Sequence, residues 1–466
     1  MTLNTIDVSV IVIYFLIILY IGFFTARNKK SESSVEDFIL AGRKVTLPIF
    51  VATLVATWYG SILGVGEFAY NDGIVAWLCF CVPYYIAGAI FGCFFAKKIR
   101  ASNVKTIPEL IINKFGERAG KISSIIVLII TIPASYLLML GVILQLFTGW
   151  DLWICVILGA VVSLSYLYSG GFKADILTNT AQFFLMYIGF AVLLYYAIST
   201  YGGIDIMFNK LPETHKTAPG NHSWQYIFMW YIIAFQTFID PSFHQRASAA
   251  KTPQTAQRGV LISVLCWLVF DTLTILCGLY AAAFLNLNDS LMAYPVLAEQ
   301  ILPHFWKGVY LVALLAAIMS TLDSYSFISS VTIGNDLLEP FFRKRKIFKH
   351  LSIQKLTQIG LILTAIFSII GAVVLPSVID LIYKTASIAI PGLIIPVLLT
   401  FTHKYRISER KIIQIMLLSS GTSLIWILFS VFSNNSTIFV TIEPMLPGLV
   451  MSVILTTLFI KKNEMA

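Results

Sequence analysis

Apolar runs of about 20 residues, each long enough to cross the hydrocarbon core of a bilayer as a helix, recur along almost the whole chain. Read in order they give thirteen crossings, at 8–26, 46–69, 74–96, 122–147, 152–170, 176–199, 224–249, 258–285, 306–334, 355–376, 379–402, 411–432 and 441–460. Backbone amides in hydrocarbon need partners within their own segment, and runs this long without alternation do not read as barrel strands. The expected fold class is an all-α polytopic membrane protein. Hydrophobic residues fill 58% of the 466 positions and charged ones 12%, which excludes a soluble domain.

The charges test this parse independently, because Lys and Arg gather on the cytoplasmic side of a correctly read chain. With the N-terminus outside, all but four of the 32 basic residues fall on inner segments; the exceptions are Lys210, Lys216, Lys307 and Lys384. A missed helix would scramble the alternation from that point on. The net charge of +9 is then topological and calls for no nucleic acid. Asp7, rather than basic residues, precedes the first span, so it reads as a retained anchor. The expected location is the plasma (inner) membrane, multi-pass, with the N-terminus outside and the C-terminus cytoplasmic. The expected partners are the lipid bilayer and a small-molecule solute, with no obligate protein partner. The six cysteines lie inside apolar spans and read as packing residues. No histidine pattern suggests a metal or haem centre in the bilayer, and no adjacent nucleophile and base suggest an enzyme.

Two spans carry residues that unwind helices. The second contains Ala56-Thr57-Trp58-Tyr59-Gly60-Ser61, then Gly64, Gly66 and Glu67; the seventh contains Phe238-Ile239-Asp240-Pro241-Ser242. Glycine is conformationally permissive and proline removes a backbone donor. The breaks lie five spans apart in helices of opposite direction, the pattern of an inverted repeat around a midplane site. The single transporter domain, 1–466, then divides into a peripheral helix at 1–26, a first repeat at 46–199, an inverted second repeat at 224–402 and two peripheral helices at 411–460.

The ninth span puts Ala317, Ser320, Thr321 and Ser324 on one helical face at i, i+3, i+4 and i+7, with Asp323 on its shoulder. Intramembrane ionisable groups are costly and mark functional sites. Carbonyls freed at Ala56 and Tyr59, the Ala317 carbonyl and the Ser320 and Thr321 hydroxyls would make a neutral five-oxygen cage for a sodium ion, a hard cation.

The run Ala316-Ala317-Ile318-Met319-Ser320-Thr321-Leu322-Asp323-Ser324 resembles the ninth-helix signature of the sodium:solute symporter family. Gly170-Gly171-Phe172-Lys173-Ala174, Gln182 and Gln245-Arg246-Ala247 support the resemblance over nearly the whole chain. It implies a LeuT-like five-plus-five core, helices 2–6 against 7–11, and the same five sodium ligands: Ala56, Tyr59, Ala317, Ser320 and Thr321. Where relatives often carry Thr-Asp in the sixth helix this chain has Thr178-Asn179. The displaced charge is expected at Asp323, facing Asn179, with Asn179, Asp323 and Ser324 as a candidate second cation site. Solute contacts are expected from Trp58, Glu67, Trp230, Phe235 and Asp240. A carboxylate at Asp240, where sugar-carrying relatives have an amide, argues against a neutral sugar. Asp271 in the eighth span has no partner that the sequence names. The expected function is sodium-coupled secondary active import of a small polar organic solute by alternating access. A proton-coupled or sodium-independent carrier of the same fold is the alternative, and a sensor on a transporter scaffold is a more distant one.

Overall fold

The computed structural model describes residues 3–27, 35–345, 351–374, 378–402, 404–432 and 438–462. Nearly everything in them is helical; the sole paired strands among them are Tyr405–Arg406 and Lys461–Lys462. Among the described residues nine helices are long and apolar enough to cross a membrane, and Leu47–Ala56, Leu152–Tyr168 and Met445–Phe459 are shorter apolar helices. Leu16, Phe184, Leu265 and Leu458 are exposed on their outer faces, as lipid-facing side chains should be.

Trp306–Val331 is the exception to outward exposure: every residue of its most apolar window is buried. It packs along Phe172–Tyr201 and also touches Thr5–Arg27. A Cβ at Gly189 would lie 2.2 Å from that of Ala313, so the two backbones approach through a small-residue contact. Shielded from lipid on all sides, this helix can carry a carboxylate and hydroxyls that an outer helix could not.

Both expected breaks are present, and each has a local cause. Leu47–Ala56 ends where the Thr57 hydroxyl bonds back to the Thr53 carbonyl at 2.7 Å, a side-chain competitor for the helical ladder. Helix resumes only at Ile62–Asp72. In the second, Trp224–Ile233 tightens into the 3-10 segment Ala234–Phe238 and stops; Asp240 is extended, as a residue before proline prefers, and Pro241 opens Pro241–Ala249 at a position that needs no amide donor. A third interruption was not expected. Pro133 forces Ile132 out of helix and splits the 122–147 span into Glu117–Thr131 and Ala134–Thr148.

The far ends of the two broken helices are joined. Val45 donates its amide to Ala249 at 3.2 Å, and Lys251 donates to Val45 at 2.9 Å, a parallel bridge between the entry to one broken helix and the exit of the other. Arg43 adds bonds to the carbonyls of Ser248 (3.0 Å) and Asn103 (2.7 Å), and Arg100 Nε donates to Ala250 at 2.5 Å. This end of the molecule is closed by backbone hydrogen bonds.

Candidate functional site

The first break and Trp306–Val331 meet where the hydroxyl stripe predicts. Ser320 Oγ lies 2.7 Å from the Ala56 carbonyl and 3.0 Å from that of Ala317; Thr321 Oγ1 lies 2.8 Å from the Thr57 carbonyl and 3.4 Å from that of Ala317. Three carbonyls and two hydroxyls converge, all buried. This all-oxygen, formally neutral donor set fits a hard monovalent cation. In detail it differs from the expected cage: the Tyr59 carbonyl accepts the Ile62 amide at 3.2 Å, and Thr57 supplies the carbonyl that meets Thr321. The close approach needs Gly60, where a Cβ would sit 2.6 Å from Thr321 Cβ. Gly60→Ala is therefore expected to raise the sodium concentration for half-maximal uptake severalfold with the protein still inserted, as a sodium titration of uptake will measure.

Beside this cage lies a buried polar cluster that the sequence reading missed in part. Asp175, in the first turn of Phe172–Tyr201, accepts from Ser324 Oγ (2.7 Å) and from Asn179 Nδ2 (3.1 Å). Arg246, on Pro241–Ala249, reaches Asp175 (3.4 Å), Ser324 Oγ (2.8 Å) and Thr57 Oγ1 (2.5 Å) through Nη2. Asn179 Nδ2 also touches Ser324 (2.9 Å) and Thr57 (3.3 Å). Asp175 and Arg246 are fully buried, and Arg246 Nε and Nη1 have no protein partner. One guanidinium thus ties both breaks to the helices carrying Asp175 and Ser324.

The pairing of Asp323 with Asn179 is overturned. Each helical residue turns about 100°, so Asp323 points away from the Ser324 face. Its carboxylate instead accepts from Ser163 Oγ and Tyr166 OH on Leu152–Gly170. Asn179 and Ser324 share one cluster, Asp323 another, and the carboxylate beside Asn179 is Asp175. The signal was visible: Asp175 lies four residues before Asn179, hence on the same face. Beginning the sixth span at residue 176 left it outside.

On the other side of Thr57 a cavity of about 410 Å³ opens between the two broken helices. Of the expected solute contacts, Trp58, Glu67, Trp230 and Asp240 line it. Phe235 does not; it is 43% exposed and packs against Phe238. The 3-10 winding of Ala234–Phe238 advances about 120° per residue instead of 100°, which rotates Phe235 off the inner face. Aromatic residues unnoticed in the sequence complete the walls: Phe68 and Phe80 sit 5.6 and 5.9 Å from Trp230, Tyr84 lies 5.0 Å from Trp58, and Tyr136 meets Tyr325 at 5.4 Å. Asp240 caps its helix by accepting from Ser242 N (2.7 Å) and takes a second bond from Tyr325 OH (2.6 Å). Gly64 also borders the cavity, and a Cβ there would meet no atom within 4 Å. Towards the Asp72 end the lining adds Glu443, and Asp72 pairs with His222 at 2.7 Å.

Two interrupted helices, an oxygen cage at one break and a solute-sized cavity between them define a membrane transporter rather than an enzyme. A profile of the sodium:solute symporter family matches residues 38–410. The chain belongs to the sodium:solute symporter family, whose coupling ion is sodium. It is 25% identical to high-affinity choline transporter 1 of Drosophila melanogaster over 86% of this chain and 67% of that protein. It is 28% identical to the sodium/glucose cotransporter of Vibrio parahaemolyticus over 69% and 66%, and 27% identical to the sodium/pantothenate symporter of Haemophilus influenzae over 70% and 71%. The chain thus spans about two thirds of the length of these relatives. Among solved structures, a Na+-coupled sialic acid symporter in a substrate-bound outward-open state superposes with TM-score 0.79 at 17% identity, covering 99% of both chains. The nucleobase-cation-symport-1 family transporter Mhp1 gives 0.56 at 12% identity, covering 90% of this chain and 94% of its own. At these identities the likeness is one of fold.

Proposed function

We propose that the protein imports a small organic cation together with sodium, by alternating access across thirteen spans arranged as two inverted five-helix repeats, with its N-terminus outside. The observation that carries the choice of solute is the charge of the cavity wall. Glu67, Asp72, Asp240 and Glu443 line it, and no Lys, Arg or His does among the described residues. An anionic solute would meet repulsion there. A neutral sugar would leave the buried Asp240 carboxylate with no cationic group facing it across the cavity. An organic ammonium finds both opposite charge and the faces of Trp58, Tyr84 and Trp230, which attract cations through their ring quadrupoles. Relatives named as choline transporters agree with a cationic solute.

Sodium is assigned to Ala56, Thr57, Ala317, Ser320 and Thr321, with Tyr59 contributing once its amide bond to Ile62 loosens. A monovalent cation moving inward gains about 2.3 kcal/mol per 100 mV from the field, and a neutral cage binds it weakly enough for release. The sealed Val45–Ala250 end and the cavity at the Asp72 end correspond to an outward-facing state. Opening the sealed end requires Arg246 to let go of its partners. The expected second cation site is not kept: Asp323 turns to Ser163 and Tyr166, and the Arg246 guanidinium already supplies the positive charge beside Asn179, Asp175 and Ser324.

The test is uptake into proteoliposomes of a labelled panel of organic ammonium compounds, sugars and carboxylates, with inward gradients of sodium, potassium or protons. Accumulation of an ammonium compound driven by sodium is expected; a sugar or carboxylate accumulating instead overturns the solute class. For the accepted solute, Asp240→Asn and Trp58→Ala are each expected to raise KM about tenfold or more, measured at saturating sodium.

A further inference from the structure

Asp271 has no place in the cage, the cavity lining or the Arg246 cluster, yet it is a buried carboxylate in mid-membrane on Pro253–Phe284. Tyr59 OH donates to its Oδ1 at 2.9 Å and Tyr85 OH donates to its Oδ2 at 2.6 Å. Tyr59 OH also lies 3.4 Å from the Trp267 carbonyl, one turn earlier on the same helix, and the Tyr59 ring packs 4.3 Å from Phe270. No Lys or Arg is bonded to Asp271 among the described residues; two phenols, with the Cys81 thiol as a third and weaker donor, hold this carboxylate.

The two phenols belong to residues whose chain neighbours face the solute. Trp58 and Tyr84 line the cavity; Tyr59 and Tyr85, one residue on, turn to Asp271. Tyr59 also lies within the unwound turn, between the Thr57 carbonyl that meets Thr321 and the Gly60 contact with Thr321. Trp267 carries the same tie further, 5.3 Å from Trp58. Between the Trp58 amide's bond to Val55 and the Ile62 amide's bond to Tyr59, both 3.2 Å, the turn has no continuous helical ladder to hold its register. The Ala56 and Thr57 carbonyls take their hydrogen bonds from outside the turn, so contacts from neighbouring helices help to fix where they point.

We propose that Asp271 is a positioning residue that fastens the ion-side turn and the solute wall to one rigid helix, so that the sodium cage and the aromatic wall keep a common register. It touches neither sodium nor solute; it acts through Tyr59 on the first and through Tyr85 on the second. This rests on the sodium-and-cation reading above. Asparagine at this position keeps the shape but presents one acceptor oxygen in place of two charged ones, so both phenols cannot be held equally.

The experiment measures sodium-dependent uptake of the accepted ammonium compound in proteoliposomes, with reconstituted protein quantified for each variant. Asp271→Asn is expected to raise the half-saturating sodium concentration and the solute KM together, each about tenfold, the scale of losing a hydrogen bond to a charged group, with maximal rate within about twofold. Tyr59→Phe is expected to shift mainly the sodium dependence and Tyr85→Phe mainly the solute KM. Combining Tyr59→Phe with Asp271→Asn is expected to leave the sodium constant no worse than Asp271→Asn alone. Both constants within twofold of wild type in Asp271→Asn overturn the proposal, as does a lowered maximal rate with unmoved constants, the mark of a packing role alone. Wild-type uptake indifferent to sodium in the same vesicles sinks the underlying transport reading instead, which keeps the two failures distinct.

Discussion

Arg246→Met is expected to abolish solute uptake and to lower the stability of the purified protein by about 3–5 kcal/mol, the usual cost of removing one partner of a buried ion pair. The arginine is fully buried, and its loss leaves Asp175 with only Ser324 and Asn179 as partners. Arg246→Lys is not expected to restore transport, because a single ammonium on a flexible stem does not reproduce the planar reach to Thr57, Ser324 and Asp175. Pairing Arg246→Met with Asp175→Asn should recover much of the stability, since the stranded charge is gone, but none of the uptake. Thermal unfolding in detergent and uptake in proteoliposomes separate the two effects. Wild-type uptake in Arg246→Met would remove this cluster from the transport cycle.

Thr321→Ala is expected to raise the half-saturating sodium concentration by about 10- to 100-fold, the range of an interaction worth about 1.5–3 kcal/mol with a charged partner. Its hydroxyl is one of two that reach carbonyls at the broken turn, and the carbonyl it meets at 2.8 Å belongs to Thr57. Thr321→Ser retains the oxygen and should stay within a few-fold of wild type. The sodium dependence of initial uptake rate distinguishes the variants. At saturating sodium, Thr321→Ala should approach the wild-type solute KM, because Thr321 does not line the cavity.

Much of this architecture is readable in the residues because few alternatives exist in a bilayer. Spanning segments must be helical, so breaks are written in glycine, in Asp-Pro and in back-bonding threonine, and both principal breaks lie where those residues stand. Pro133 carries the same signal, with Thr131 and Ser135 beside it, but the apolar run continues on both sides and reads as one span. The hydroxyl stripe was legible because Ser320, Thr321 and Ser324 recur at helical spacing, and it does face the Ala56 turn. What the sequence could not supply was direction. Asp323 and Asp175 look alike as intramembrane acids, and only the rotation of two packed helices decides that one meets Ser163 and Tyr166 while the other meets Arg246. The same holds for the aromatics. Thirty-four phenylalanines and 21 tyrosines offer too many candidates, and the 3-10 twist that turns Phe235 outward leaves no trace in its own identity.

Equilibrium binding of radioactive sodium to the purified protein tests the central claim, that the ion is held between the unwound turn after Ala56 and the hydroxyls of Trp306–Val331. Wild type should bind sodium saturably, with potassium a poor competitor, and the Ser320→Ala, Thr321→Ala double variant should lose that binding while keeping its helical content and its affinity for solute at high sodium. Equal sodium binding by wild type and the double variant would contradict the account.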